Sequence, residues 1–313
     1  MLELHNIISR KKLKKRMELD NVERVTLSFY KYFFIKNPIN FRNLIYVNFN
    51  KLKIFGRVYI AHEGINAQIS VPSFFFHSVK RFLKKINKNF KNIFINKSIN
   101  NKKKSFWILI VKVRKRIVSD GILNKKFSMN PFGKYLNAIE VNKMFKEKTT
   151  LLVDVRNNYE YKIGYFENSI KLPGKTFREQ IKLIVNYLHH LKEKNIILYC
   201  TGGIRCEKAA SWLTFNGFNN VYQIKNGIIG YIKDAKLNNL PIYFKGKNFV
   251  FDSRMGERIT KDILSTCKNC KISCDSYTNC RNDRCHVLMI QCSDCSKKLN
   301  NCCSLICKKK IKS

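Results

Sequence analysis

The sequence predicts two mixed helix-and-strand units followed by a small cysteine-rich region. Three observations carry this. Residues 1–118 run through the order β-α-β-β-α-β, and residues 134–238 alternate buried strands with helices. Ten of the twelve cysteines lie between Cys267 and Cys307, and none precedes residue 200. At 313 residues with 45% hydrophobic residues, the chain is long enough for more than one core. The expected boundaries are 1–118, a linker at 119–133, 134–238 and 239–313.

In the first unit, Val25–Phe33 is β-branched and aromatic and reads as a strand. Residues 39–52 put Phe41, Leu44, Ile45, Phe49 and Leu52 on one helical face. Ile54–Ala61 and Ala67–Val71 are strands around a turn at Glu63-Gly64. Residues 73–86 form a second helix with Phe75, Val79, Phe82, Leu83 and Ile86 inward. Residues 87–104 read as a polar loop with a short strand at Ile93–Ile95, and Phe106–Val113 as the last strong strand. That order gives an α+β, ferredoxin-like (acylphosphatase-like) unit, whose open sheet face suits a binding platform.

Gly121, Pro131 and Gly133 mark the linker. Helices are then expected at 138–145, 158–163, 176–192, 206–216 and 228–237, with strands at Leu151–Arg156, Ile196–Leu198 and Val221–Ile224. This is an α/β unit with a parallel sheet, and its ligand site belongs at the carboxyl ends of the strands. Lys247–Asp252 reads as a further strand. From Thr266 onward there is little periodicity and too few apolar residues for a core, so the tail is expected to fold around whatever binds its cysteines.

Lysine and arginine number 61 against 21 acidic residues, a net charge of +40. Such a field attracts a polyanion, a nucleic acid above all, although general Lys/Asn/Ile enrichment also raises the count. No apolar run approaches the length of a membrane helix, and Met1–Arg16 has no apolar segment typical of a secretory signal, so a cytoplasmic protein without membrane contact is expected. Without an export signal, dense cysteines point to metal or redox chemistry.

The most specific stretch is Cys200-Thr201-Gly202-Gly203-Ile204-Arg205. A buried strand feeds it and a helix leaves it, which makes a cradle for anions. Backbone N–H groups, the helix terminus and Arg205 all favour the Cys200 thiolate, the nucleophilic form. Four residues between cysteine and arginine give a ring smaller than one that holds phosphate, and such a ring suits sulfur carried on sulfur. Cys206 either resolves an oxidised or persulfidic Cys200 or is a small buried residue on the first helical turn.

Together with Asp154-Val155-Arg156, Glu160-Tyr161, Gly164-Tyr165-Phe166 and Gly227–Gly230, this loop resembles a rhodanese domain, with Tyr165 where histidine is common. His62-Glu63-Gly64-Ile65-Asn66 and Gly246–Asp252 with Arg254–Arg258 occur in the same order as in one larger group. The chain resembles the tRNA uridine(34) hydroxylase family from Leu4-His5-Asn6 to about Cys307. The resemblance implies oxygen-dependent formation of 5-hydroxyuridine at the wobble position, tRNA as partner, molecular oxygen as co-substrate and a persulfide-type Cys200 supported by Arg205. Asp154, Arg156, His62, Glu63 and Asn66 are candidate supporting residues.

In the tail, Cys267-x2-Cys270 and Cys292-x2-Cys295 are 21 residues apart, which fits one four-thiolate zinc site. Cys274, Cys280, Cys285, Cys302, Cys303 and Cys307, with His286, are candidates for a second. An iron–sulfur cluster, disulfides and free thiols are the alternatives. There is no Gly-rich dinucleotide or phosphate-loop motif and hence no expected nucleotide cofactor. Two other functions stay open: a sulfurtransferase working from Cys200, and a non-catalytic RNA-binding adaptor.

Overall fold

A computed structural model describes residues 8–99, 104–129 and 134–312. The expected features at Leu4–Asn6, Pro131 and Gly133 lie outside the described residues. After a basic helix α1 (Arg10–Leu19), the first unit contains β1 (Arg24–Tyr32), α2 (Pro38–Lys51), β2 (Phe55–Ala61), β3 (Gly64–Pro72), α3 (Phe76–Ile86), β4 (Asn96–Lys97) and β5 (Leu109–Val113). Asn37 caps α2, its side chain accepting from the Asn40 N–H, and Pro38 starts the helix at a position that needs no donor. The sheet order is β4-β1-β3-β2-β5. Leu27, Phe29, Ile45, Phe49, Val58, Ile60 and Leu83 belong to its buried core.

Two expectations change here. The short strand after α3 is Asn96–Lys97, paired antiparallel with Leu27 and Ser28, instead of Ile93–Ile95. It takes the place beside β1 of the fourth ferredoxin-like strand. The strong strand expected at 106–113 instead extends the opposite edge, running parallel to β2. Leu44 also turns outward and is exposed.

The second unit holds β6 (Lys134–Leu136), α4 (Ala138–Met144), β7 (Thr150–Asp154), α5 (Asn158–Tyr161), β8 (Gly164–Phe166), β9 (Ile170–Lys171), α6 (Phe177–Leu188), β10 (Asn195–Tyr199), α7 (Ile204–Phe215), β11 (Val221–Ile224) and α8 (Gly227–Leu237). Asn137 and Glu140 form a capping box at α4, and Thr176 caps α6. The sheet β6-β11-β10-β7-β9 is parallel throughout, with apolar clusters on both faces. Of the stretch read as a linker, residues 119–129 pack against this unit: Asp120 is buried, and Ile122 joins the core beside Phe177 and Ile181.

The third region begins with β12 (Phe244–Asn248), earlier than expected, and continues through β13 (Glu257–Arg258), β14 (Tyr277–Asn279), β15 (Leu288–Ile290), α9 (Ser293–Lys298) and α10 (Leu305–Lys312). β12 pairs with β8, which ties this region to the second unit. The tail does have an apolar core: Cys267, Cys274, Ile290 and Cys292 pack with Phe249 and with Ile163 of the second unit. Its apolar residues are too few for a periodic signal, but a neighbouring surface completes the cluster. No helix among the described residues is long and apolar enough to cross a membrane.

Candidate active site

The Cys200 loop sits between the end of β10 and α7. The backbone approaches the start of α8 so closely that Gly227, at φ +64°, has no room for a side chain: a Cβ there would stand 2.4 Å from the Cys200 carbonyl oxygen. That carbonyl accepts from the Ile228 N–H at 2.9 Å. Gly203, at φ +104°, turns the loop into the helix under the Tyr30 hydroxyl.

Cys200 is fully buried, and its Sγ accepts from the Gly203 N–H at 3.1 Å. Burial pushes the thiol up. The Cys206 thiol, the Arg205 charge and the N–H groups of Cys206 and Gly203 together outweigh it and bring Cys200 down to about 5. The same exchange works in reverse on Cys206: burial, then its hydrogen bond to Cys200, hold it well above the usual thiol range. Cys206 is therefore the donor and Cys200 the thiolate.

Arg205 is fixed by Glu160, with Nη1 to Oε1 at 2.5 Å and Nη2 to Oε2 at 2.8 Å. Glu160 is placed by its own helix start, where its Oε1 also accepts from the Asn157 N–H at 3.0 Å. Thr201 donates to Glu160 and to the Phe249 carbonyl. Asp154 and Arg156 form a separate, fully buried pair, and Arg156 also donates to the Gly164 carbonyl at 2.6 Å. They brace the strand ends; no polar contact to Cys200 is seen among the described residues. Tyr165 stacks on Tyr161, with centroids 4.4 Å apart.

The first unit closes over this loop. Tyr30 donates to Glu207 of α7, which also accepts from Tyr135 of β6 in the second unit, and Tyr32 donates to the Ile204 carbonyl. Glu63 accepts from the Ile117 N–H and meets Lys208 Nζ at 2.7 Å. Lys208 is itself fully buried and also lies 3.4 Å from Asp120. Glu63 is thus an interdomain tie, and Asn66, which donates to the Ile117 carbonyl, lines the cleft. His62 instead points toward Ile35, contacting its carbonyl, and stacks on Phe34 away from the loop. Breaking a buried ion pair leaves a charge without its partner. Lys208→Met is expected to lower stability by about 3–5 kcal/mol, and adding Glu63→Gln to recover part of it. Denaturant melts of both variants check this; an unchanged midpoint in the single variant contradicts the tie.

Between the three units lies a cleft of about 1490 Å³ that reaches Cys200, Thr201, Gly202 and Arg205. Arg57, Arg114, Arg116, Arg178, Lys225 and Arg254 line it, with Tyr59, Phe94 and Phe251 among its aromatic walls. Arg254 is held by Asp252 and Glu257, so the Gly246–Arg258 stretch furnishes one cleft wall. A basic, aromatic cleft that reaches a cysteine with a lowered pKa suits a nucleotide, whose phosphates would meet arginines and whose base would meet rings.

The tail brings together two four-cysteine groups: Cys267, Cys270, Cys292 and Cys295, and Cys280, Cys285, Cys303 and Cys307. A tetrahedral metal with bonds of about 2.3 Å separates its sulfurs by about 3.8 Å. The Cys270–Cys292, Cys285–Cys303 and Cys303–Cys307 sulfur distances are 3.6, 3.7 and 3.5 Å. Both groups fit a metal. Cys274 and Cys302 stand outside them, Cys274 in the apolar cluster and Cys302 against the Asn300 carbonyl, and His286 belongs to neither.

Family models match the chain in three consecutive stretches: a UPF0176 acylphosphatase-like domain at 24–117, a rhodanese-like domain at 137–234 and a rhodanese C-terminal domain at 245–308. A protein of Buchnera aphidicola subsp. Acyrthosiphon pisum (strain Tuc7), called tRNA uridine(34) hydroxylase, is 52% identical over 98% of this chain and 94% of its own. The chain belongs to the tRNA uridine(34) hydroxylase family. Two further relatives of the same name, from Photorhabdus laumondii and Erwinia tasmaniensis, are 50% and 48% identical over 99% and 98% of this chain and 88% of theirs. Among solved structures, a rhodanese-like domain from Anabaena sp. is 21% identical over 38% of this chain and 80% of its own, with a TM-score of 0.28.

Sequence reasoning about this family member missed Glu160 as the partner of Arg205, the Lys208–Glu63–Asp120 tie, and the tyrosines over α7. Lys208 carried a signal: it is a lysine within a helix stretch otherwise suited to burial, Ala209-Ala210 and Leu213.

Proposed function

We propose that this chain is a tRNA-modifying enzyme that hydroxylates the wobble uridine at C5, with molecular oxygen as co-substrate. Cys200 is the reactive sulfur, as thiolate or persulfide. Arg205 and the Thr201–Ile204 loop stabilise its negative charge, Cys206 holds it by hydrogen bonding, and Glu160 keeps Arg205 in place. The observation that carries this reading is a buried cysteine sulfur, held by the Gly203 N–H beside Arg205, that lines a basic and aromatic cleft large enough for a nucleotide. The names of the relatives add the substrate and the reaction. The enzyme acts in the cytoplasm, where its tRNA is.

Nucleoside mass spectrometry of tRNA from cells with and without this chain tests the reading. Loss of 5-hydroxyuridine and nucleosides made from it is expected without the chain; an unchanged profile overturns it. A rhodanese-type sulfurtransferase is the second reading, favoured by the four-residue spacing between Cys200 and Arg205. It predicts loss of a thiolated nucleoside instead.

The charge supports a phosphate-bound partner. Between about 50 and 200 mM salt, tRNA affinity is expected to fall at least tenfold, as neutralised phosphates release counterions. A flat dependence, measured by filter binding, contradicts a backbone-tracking cleft. We assign zinc to both four-cysteine groups. Zinc would supply a fixed anchor there: the first group would tie the Cys267–Cys270 turn to the start of α9, and the second would tie the β14–β15 hairpin to α10.

A further inference from the structure

The two-residue strand β4 places one amide in an unusual position. Asn96 of β4 is 5% exposed, yet its Oδ1 has no hydrogen-bond partner, and the residue lines the cleft. Its Nδ2 lies 3.8 Å from where a Cβ on Gly202 would stand, and Ser28 Oγ lies 4.0 Å from the same point. Ser28 and Asn96 are register partners across β1 and β4. Two polar side chains of the first unit thus stand side by side over Gly202, a loop residue with no side chain, two positions from Cys200. Burying a carbonyl oxygen without a donor costs roughly 1–3 kcal/mol, a cost removed when a ligand brings the donor.

We propose that Asn96, flanked by Ser28, reads the imide edge of the target uracil. This rests on the uridine-modifying function proposed above. The uracil edge offers one donor, N3–H, between two carbonyl acceptors. A carboxamide is its two-point complement: Oδ1 accepts from N3–H and Nδ2 donates to a ring carbonyl. The C5–C6 bond lies across the ring from N3, so a base gripped this way directs its reacting edge away from the amide and into the cleft that Cys200 lines. An extruded base is generally read this way, through its pairing edge. Asn96 acts here as a binding and specificity residue.

The test uses the full-length protein and two anticodon stem–loop RNAs, one with uridine and one with 3-methyluridine at the wobble position. The methyl group removes the N3 donor and changes nothing in the backbone. Wild-type protein is expected to bind the uridine hairpin at least about tenfold more tightly, and Asn96→Ala to bind the two within about twofold of each other. In cells, Asn96→Ala is expected to reduce 5-hydroxyuridine at least about tenfold, with the thermal midpoint and the pH profile of Cys200 alkylation unchanged. Ser28→Ala serves as the variant that leaves β4 untouched, with a smaller loss of discrimination. A wild-type protein that modifies tRNA but binds both hairpins equally overturns the Asn96 assignment alone. So does an Asn96→Ala protein that keeps the full discrimination. Wild-type protein that leaves tRNA uridine unmodified overturns the proposed function and this inference with it.

Discussion

Replacing Cys200 with alanine is expected to abolish 5-hydroxyuridine formation, by about a thousandfold or more, while tRNA affinity stays within about twofold. Cys200 is buried where it lines the cleft and adds little contact area, whereas the arginines expected to meet phosphates are other lining residues. The substitution therefore removes chemistry and spares binding. The sulfur's ionisation gives the same prediction a pH signature. An ordinary thiol is mostly protonated at neutral pH, but Cys200 is held down at about 5. Its alkylation, followed by mass spectrometry of the peptide, should be flat from about pH 6 to 9 and fall roughly tenfold per unit below the folded value. The sign for stability follows from the same shift. The contribution of a depressed group is complete above its unfolded value, near 9, and is lost as pH falls through 5. Cys206→Ala removes the thiol donor and should move the alkylation midpoint upward. A midpoint that stays near the ordinary thiol value in wild type would sink the thiolate assignment, and a Cys200→Ala protein that still hydroxylates would remove Cys200 from the chemistry.

Two metal ions per chain are the second large expectation. Native mass spectrometry should find both, with Cys267→Ser and Cys280→Ser each losing one and Cys274→Ser and Cys302→Ser keeping two. Structural zinc in small peptides is worth about 10–16 kcal/mol of apparent binding at neutral pH, more than the tail's small apolar cluster can supply. Chelation should therefore unfold residues from about Cys267 onward. The effect should travel. Tyr277 donates to the Tyr159 carbonyl at 2.7 Å, and Tyr159 precedes Glu160, which holds Arg205. Lys247 and Arg258 both pair with Asp275 at the base of the tail. Loss of metal should thus slow modification even though no cysteine of the tail reaches Cys200. A tail that stays folded without metal, judged by proteolysis and by mass, would refute the zinc assignment.

Much of the fold and part of the candidate site could be read from the chain itself. Strands and helices announced themselves by period, because burying one face forces apolar residues to recur every second or every third and fourth position. Val221–Ile224 and the start of α8 at Gly227 fell where the pattern put them to within a residue. The Cys200 loop was legible because its chemistry is local: a strand end, two glycines, a helix start and an arginine lie within six residues. The Cys267–Cys270–Cys292–Cys295 group was legible for the same reason, as two tight pairs.

The rest depends on contacts between distant segments. β4 is two residues long and has no period to display, so its pairing with β1 depends on the sheet already being there. That pairing alone puts Asn96 over Gly202. The second cysteine group joins positions 280, 285, 303 and 307 at irregular spacing, because the β14–β15 hairpin and α10 bring them together in space. Lys208 finds Glu63 145 positions away, and His62, one residue before Glu63, faces the other side of the turn. The three units and the loop that carries Cys200 were legible in the chain, since each is written in contiguous residues. Docking of the three units sets what surrounds Cys200: the cleft, its arginines, its aromatic walls and the amide above Gly202. Those contacts depend on matched surfaces from distant segments, and no local pattern encodes which surface meets which.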